Sequence, residues 1–289
     1  MMKILVLAKQ VPDTRNVGKE AMKADGTVNR AALPAIFNPD DLCALEMALE
    51  AKERLKNAEV YVLTMGPARA AEIIRESMYR GADGGYLITD MKFAGADTLA
   101  TSYTIAKAIE KLGNVNLIFC GRQAIDGDTA QVGPQTAEKL GIPQITYAED
   151  CVACDEKTVT IKRRLERGVE TVKTSLPALI TVHGSADECR ARHAKRLMKF
   201  KHARTTTEIQ NESLDYSALL CECPYLSITE WTAADLNAQP EQLGLTGSPT
   251  KVKKIENVVL TAKDSVNLTT SDDDMNKLMK ELIDSHVIG

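Results

Sequence analysis

The sequence predicts an α/β fold: a Rossmann-like parallel sheet with helices on both faces, extended by a hairpin and a C-terminal arm. Three observations carry this expectation. Apolar runs at 3–8, 59–64, 85–88 and 115–120 alternate with segments whose apolar residues recur at helical spacing. Alternation of that kind belongs to parallel strands joined by crossover helices. A glycine-rich stretch at 121–134 then joins the fourth run to a helix, and 44% hydrophobic residues in a chain of 289 can form a sizeable core.

The elements follow in order. Lys3 to Ala8 reads as a buried strand, followed by Lys9-Gln10-Val11-Pro12-Asp13 and by polar residues to Arg30 that turn at Asp25-Gly26. Asn38 or Asp40 is placed to cap a helix carrying Leu42, Leu45, Ala48 and Leu49. A strand at 59–64 precedes a helix near 68–79, and a strand at 85–88 precedes a helix at 97–112. Ligands of such sheets bind outside the carboxyl ends of the strands, which gathers Leu7, Ala8, Asn38, Met65 and Gly121 on one edge.

Beyond that edge, 152–174 reads as two strands joined at Glu166-Arg167-Gly168, leading into a buried strand at 176–182. Lys162, Arg163, Arg164 and Arg167 on this hairpin either guard a solvated edge or meet a partner or a negative cofactor. The last sixty residues read as an arm, with a short element at 229–236, turns at 244–249, a strand-like 258–260 and one clear helix. Ser271 caps that helix, Asp272, Asp273 and Asp274 suit its positive start, and Met275, Leu278, Met279, Leu282 and Ile283 form a stripe. The stripe packs on this chain's own core or docks on a second subunit.

The stretch at 121–134 holds the densest chemistry. Gly121, Gly127 and Gly133 permit backbone conformations closed to other residues, so that successive N–H groups can converge on an anion at the start of a helix. Pro134 suits the first helical position, Gly141 ends the helix and Pro143 blocks its return. In a second arrangement the helix starts at Asp128 with Gln131 completing a capping box. Arg122 is the stretch's one cation and is assigned to phosphate, Asp126 and Asp128 to ribose hydroxyls or amide caps. There is no GxGxxG after the first strand and no GxxxxGK[ST], which disfavours an ordinary dinucleotide fingerprint and a P-loop triphosphatase.

Charge and composition exclude other classes. A net charge of −4 argues against a dedicated nucleic-acid binder, although 190–204 holds seven Lys or Arg residues and no acid. The apolar run at the N-terminus is too short for a signal peptide or a membrane span, and seven cysteines without a leader fit a cytoplasmic chain with reduced thiols. Cys151 and Cys154 with Cys221 and Cys223 could offer four thiolates, but C-x-C is unusual for structural zinc and no metal is expected. No triad spacing or nucleophile elbow is present, so no general acid or base is expected.

GRQAIDGDTAQVGPQTA resembles the nucleotide loop of electron-transfer flavoprotein beta subunits. A second signature, VTIKRRLERGVETVKTSLPALIT, agrees through Arg163, Glu166, Gly168, Glu170, Thr171 and Pro177, and LVLAKQVPD and Asn38-Pro39-Asp40-Asp41 are similar too. The resemblance covers about residues 1–182. It implies an adenine-nucleotide alpha-hydrolase-like domain at 1–228, including the hairpin at 151–175 and a basic recognition loop at 187–204, and an arm at 229–289 that docks on an alpha subunit. Cofactor contacts are then expected at Leu7, Ala8, Asn38, Pro39, Asp40, Met65, Gly121, Arg122, Gln123, Ala124, Ile125, Asp126, Gly127, Asp128, Thr129, Ala130, Gln131 and Val132. Family members that only carry electrons hold AMP here, and the electron-bifurcating branch holds FAD. The small loop ending in Gly-Pro resembles the second. The resemblance then implies NADH as the donor, ferredoxin or flavodoxin as the low-potential acceptor, and a flavin dehydrogenase such as an acyl-CoA dehydrogenase-like one as the partner. Ala194 stands where the family's anchoring leucine falls, which leaves the recognition loop to act through charge. A stand-alone adenine-nucleotide sensor is the reading from another class, and an ATP-using ligase-like enzyme lacks its Ser-Gly-Gly loop.

Overall fold

The computed structural model describes residues 1–13, 34–211, 216–250 and 265–288. The expected turn at Asp25-Gly26 and the strand-like 258–260 lie outside the described residues.

The chain enters through β1 (Met2–Leu7), with β2 (Gln10–Pro12) pairing antiparallel to β3 (Ala35–Phe37). There follow α1 (Pro39–Arg54), β4 (Ala58–Met65), α2 (Ala71–Arg80), β5 (Gly84–Ile88), α3 (Thr98–Leu112), β6 (Leu117–Gly121) and α4 (Val132–Leu140). Next come β7 (Gln144–Cys154), β8 (Thr158–Leu165), β9 (Gly168–Ser175), β10 (Ala178–Val182), α5 (Ala194–Phe200), β11 (Arg204–Thr205), α6 (Thr206–Asn211), α7 (Ser217–Glu222) and β12 (Ser227–Trp231).

Ten strands form one sheet in the order β11-β12-β5-β4-β1-β6-β10-β7-β8-β9. All pairs are parallel except β7 with β8 and β8 with β9. The chain leaves β1 toward β4 and β5 and then returns to β6 on the other side of β1, so the topological switch lies at β1 and β6. Alternate strand residues face two cores. Ile4, Val6, Val60, Val62, Leu117 and Phe119 pack with α1 and α2 on one face, while Leu5, Leu7, Leu63, Ile118 and Cys120 pack with Ile105, Ile109 and Ala137 of α3 and α4 on the other. Burial of each such side chain contributes about 1.5–3 kcal/mol.

Three expectations are corrected. The segment at 152–174 holds only part of the strand pattern, because Val152 to Cys154 end the long β7; the hairpin proper is β8 and β9. Strand β7 bridges two environments, pairing parallel with β10 at its start and antiparallel with β8 at its end, so its pattern of exposure is mixed. Residues 227–231, at the start of the expected arm, form a strand of the sheet beside β5. The compact unit accordingly runs Met1–Lys253 rather than ending at 228, because Trp231 stacks on Tyr86 and Leu236 and Leu243 join the α3-side core. The third correction is that α4 starts at Val132, not Pro134 or Asp128, with Gln131 as its N-cap residue.

The second unit, Lys254–Gly289, contains α8 (Asp272–Asp284). The Ser271 hydroxyl accepts the Asp274 N–H, three aspartates occupy the first turn, and Met275, Met279 and Ile283 are exposed on the expected stripe.

Candidate functional site

The carboxyl edge of the sheet is knotted together by two side chains of the α1 start. Asn38 is the helix's N-cap residue by position, but its side chain makes no cap bond. It is fully buried, donates from Nδ2 to the Gln123 carbonyl (2.8 Å) and accepts the Ile125 N–H on Oδ1 (3.1 Å). Asn38 or Asp40 was expected to cap α1; the Asn38 side chain instead ties down the glycine-rich loop. Asp41 accepts the Lys9 N–H (2.9 Å) and the Gly121 N–H (2.8 Å), so the loops after β1 and β6 meet on one buried carboxylate. Burial raises its pKa to about 7, against the lowering effect of those two amides and of Asn38. Asp41 was missed as a site residue. Its signal was present, since it sits four and seven residues before Leu45 and Ala48 and places an acid on the apolar stripe of α1.

Gly121 and Gly133 serve close approach rather than unusual backbone angles, and neither they nor Gly127 have positive φ. A Cβ on Gly121 would lie 2.5 Å from Asp41 Oδ1 and 2.7 Å from the backbone carbon of Asp40; one on Gly133 would lie 2.8 Å from Cys120 Sγ. The left-handed positions fall instead on Asp128 (φ 50°) and Ala130 (φ 53°), where L-residues are strained.

The loop therefore has two halves. In the first, Gly121 donates to Asp41, Arg122 to the Val182 carbonyl, Ile125 to Asn38, and Gly127 and Asp128 to the Ala124 carbonyl. These amides point inward, contrary to the expectation that the whole stretch presents its N–H groups to a ligand. In the second half, the N–H groups of Thr129, Ala130, Gln131, Val132 and Gly133 have no acceptor among the described residues. The α4 N-terminus has no side-chain cap and no acidic residue in its first turn. Consecutive amides without acceptors among the described residues and an uncapped helix start are the donor set that an anion requires, and they fall at 129–133.

The remaining expected residues are placed as follows. Leu7 ends β1, and the Ala8 N–H is taken by the Leu63 carbonyl. Pro39 opens α1, and Met65 ends β4 half-buried. Asp126 pairs with Lys9 Nζ at 2.7 Å, so a second cation, Lys9, stands at this edge beside Arg122. Gln123 Nε2 donates to Asp128, and Gln131 Oε1 accepts from Thr98 Oγ1. Arg122 does not extend along the loop. Its Nε lies 3.7 Å from Asp40 Oδ2, and its guanidinium stands over the Tyr147 ring. Burial raises the Asp40 pKa although Arg122 and His183 favour its charged form.

The basic run at 190–204 is also divided. Arg190 pairs with Glu46 and Glu53, Arg192 with Glu76, and Arg196 donates to the Met78 and Ala82 carbonyls. Three of its cations thus staple the segment to α1 and α2, while Lys195, Lys199 and Lys201 face outward with Leu197 and Met198 on α5. The reading of a loop acting through charge alone is revised, since apolar side chains are presented there as well. Among the described residues no three His, Cys, Asp or Glu side chains come together as a metal site, and no helix is long and apolar enough to cross a membrane.

Comparison with known proteins finds relatives over the whole chain. The family model "Electron transfer flavoprotein domain" matches residues 25–207. The electron transfer flavoprotein subunit beta of Megasphaera elsdenii is 41% identical, with 98% of this chain and all of the relative aligned. The caffeyl-CoA reductase-Etf complex subunit CarD of Acetobacterium woodii is 38% identical over 99% of this chain and all of its own length. The acryloyl-CoA reductase electron transfer subunit gamma of Anaerotignum propionicum is 41% identical over the same shares. A mostly parallel sheet and relatives aligned from end to end lead to one assignment: the chain belongs to the electron transfer flavoprotein family as a beta subunit.

Proposed function

We propose that this chain holds FAD by its diphosphate on the free amides of 129–133, within a heterodimer with an electron transfer flavoprotein alpha subunit. The observation that carries the reading is the open α4 start: five consecutive N–H groups without acceptors among the described residues, beside an uncapped helix. A dinucleotide diphosphate fits that donor set, and the helix's positive end favours its charge. Asp126 and Asp128 border the same loop from its tied half, Asn38 and Asp41 hold that half rigid, and Leu7, Ala8, Asp40 and Met65 line the edge where the adenosine is held. When bound, the flavin supplies the redox chemistry; the chain contributes position and electrostatics.

Two named relatives belong to CoA-reductase electron-transfer complexes, which supports the electron-bifurcating version. In it NADH is the donor, a flavin dehydrogenase takes one electron and ferredoxin or flavodoxin the other. The exposed stripe of α8 is the part of the arm that docks on the alpha subunit, and α5 with Leu197, Met198 and its outward lysines faces the dehydrogenase. The complex acts in the cytoplasm. Extraction and mass analysis of nucleotide from the purified heterodimer tests the reading. Two FAD per heterodimer support it; one FAD with one AMP reduces the chain to a simple carrier with structural AMP, and no nucleotide defeats it.

A further inference from the structure

The α3-side face of the sheet carries a row of three aromatic rings across the neighbouring strands β12, β5 and β4. Trp231 is opposite Ile88, Tyr86 is opposite Thr229 and Leu63, and Tyr61 is opposite Gly84, so each ring lies diagonal to the next. The ring centres of Trp231 and Tyr86 are 4.8 Å apart with their planes 22° from parallel, and those of Tyr86 and Tyr61 are 5.7 Å apart. Both spacings are those of rings in contact. The row starts at the last residue of β12, on the carboxyl edge of the sheet, and ends in the first half of β4. All three side chains are half-buried.

The two ends of the row carry opposite charges. At one end the Lys111 ammonium stands 5.7 Å from the Trp231 ring centre, held there by the Asp235 carbonyl at 2.7 Å. At the other end the Tyr61 hydroxyl donates to Glu59 at 3.0 Å. The Tyr86 hydroxyl between them has no acceptor among the described residues. Burial, and then the Glu59 hydrogen bond, push the Tyr61 hydroxyl above its usual range, and burial does the same for Tyr86. Both phenols are therefore protonated. A phenol gives up an electron readily only when its proton leaves as well, and of the two only Tyr61 has a carboxylate placed to take that proton. Packing alone would need neither charge. Together they give the row a direction: the cation disfavours positive charge on the indole, and the carboxylate favours it at Tyr61.

We propose that Trp231, Tyr86 and Tyr61 form a relay that moves an oxidising equivalent from the carboxyl edge of the sheet to Tyr61, where Glu59 takes the proton. The oxidant belongs to the oxygen-radical class that arises when a reduced redox centre meets dioxygen. It takes one electron from Trp231, is itself reduced by one electron, and leaves an indole radical cation. An electron then passes from Tyr61 through the Tyr86 ring to Trp231, the Tyr61 O–H proton goes to Glu59, and a neutral tyrosyl radical remains. A small thiol in solvent gives that radical a hydrogen atom and becomes a thiyl radical, and Glu59 returns its proton to water. The row thereby draws oxidation away from the nucleotide edge. Only the source of the oxidant rests on the reading of the chain as a flavin-binding subunit.

The test uses the purified heterodimer and azide radical made by pulse radiolysis, a one-electron oxidant that attacks indole before phenol. Trp231 is this chain's one tryptophan, so the difference between wild type and Trp231→Phe isolates its radical. The expected result is first-order loss of indole-radical absorption matched by growth of tyrosyl-radical absorption, at a rate independent of protein concentration. Tyr61→Phe, which removes only the hydroxyl, is expected to lower the tyrosyl yield at least tenfold. Tyr86→Leu, and Glu59→Gln, which keeps an acceptor but takes no proton, are expected to slow the transfer at least tenfold. Native circular dichroism checks each variant. Decay of the indole radical without tyrosyl growth in the wild type, or unchanged kinetics in any of these three folded variants, overturns the relay. The oxidant is added, so neither result depends on bound nucleotide, which extraction and mass analysis read separately.

Discussion

Two helices start side by side on the α3-side face of the sheet, linked by Thr98 Oγ1 to Gln131 and by Gln135 Nε2 to Thr98, and their N-termini are treated in opposite ways. The start of α3 is closed. Asp97 accepts from Leu99 and Ala100 and is itself held by Thr250. Burial works against its charge, but those hydrogen bonds hold its carboxyl below the usual range, so α3 carries its own anion. The start of α4 has neither cap nor acid. An N-cap residue adds about 1 kcal/mol to a helix, and α4 goes without that stabilisation next to a helix that has it. The open start is thus read as a place kept for an external anion, and the tied half of the loop as the scaffold that holds it.

Substitutions separate scaffold from cradle. The largest loss is expected at Gly121→Ala, where the new methyl meets Asp41 and the Asp40 backbone; overpacking of this kind costs about 1–3 kcal/mol or more, read as a fall in thermal midpoint. Gly127→Ala, with nothing within 4 Å, is the matched control and is expected to melt with the wild type. Next comes pH. Burial raises the Asp41 pKa in the folded state to about 7 from its ordinary value of 3.8, so the folded chain binds more protons between these values. Its contribution is fully present below about 3.8 and is lost as pH rises to about 7, and urea titrations should show that slope flattened in Asp41→Asn.

Asn38→Ala leaves the Gln123 carbonyl and the Ile125 N–H without partners, with an expected loss of about 2 kcal/mol in urea unfolding. Wild-type stability in that variant would break the picture of a tied half. The smallest effect is expected at Ala130→Gly, which relieves a left-handed alanine worth about 1 kcal/mol. A rise in thermal midpoint supports the strained cradle, and a fall contradicts it.

The sheet was legible because strands buried on both faces have little choice of pattern: β1, β4, β5 and β6 lie within two residues of their expected bounds. The hydrogen-bond wiring of the glycine-rich stretch was not legible. Asn38 was read as a cap because its neighbours announce a helix, and nothing local shows that its amide reaches residues 85 and 87 positions away. Glycine identity likewise does not distinguish a positive φ from a need for space, and here Gly121 and Gly133 supply space while Asp128 and Ala130 take the turn. The basic run misled in the same manner, since Arg190, Arg192 and Arg196 find carboxylates and carbonyls on helices more than a hundred residues earlier.

The most direct test of the open helix start is Gln131→Asp, which gives α4 the built-in anion that α3 already has in Asp97. Heterodimers of the wild type and the variant would be compared by mass analysis of extracted nucleotide and by thermal midpoint. The account expects the wild type to carry a dinucleotide at full occupancy, and the variant to lose it at least tenfold more readily while its nucleotide-free form melts at or above the wild-type temperature. Full nucleotide occupancy in Gln131→Asp would contradict it.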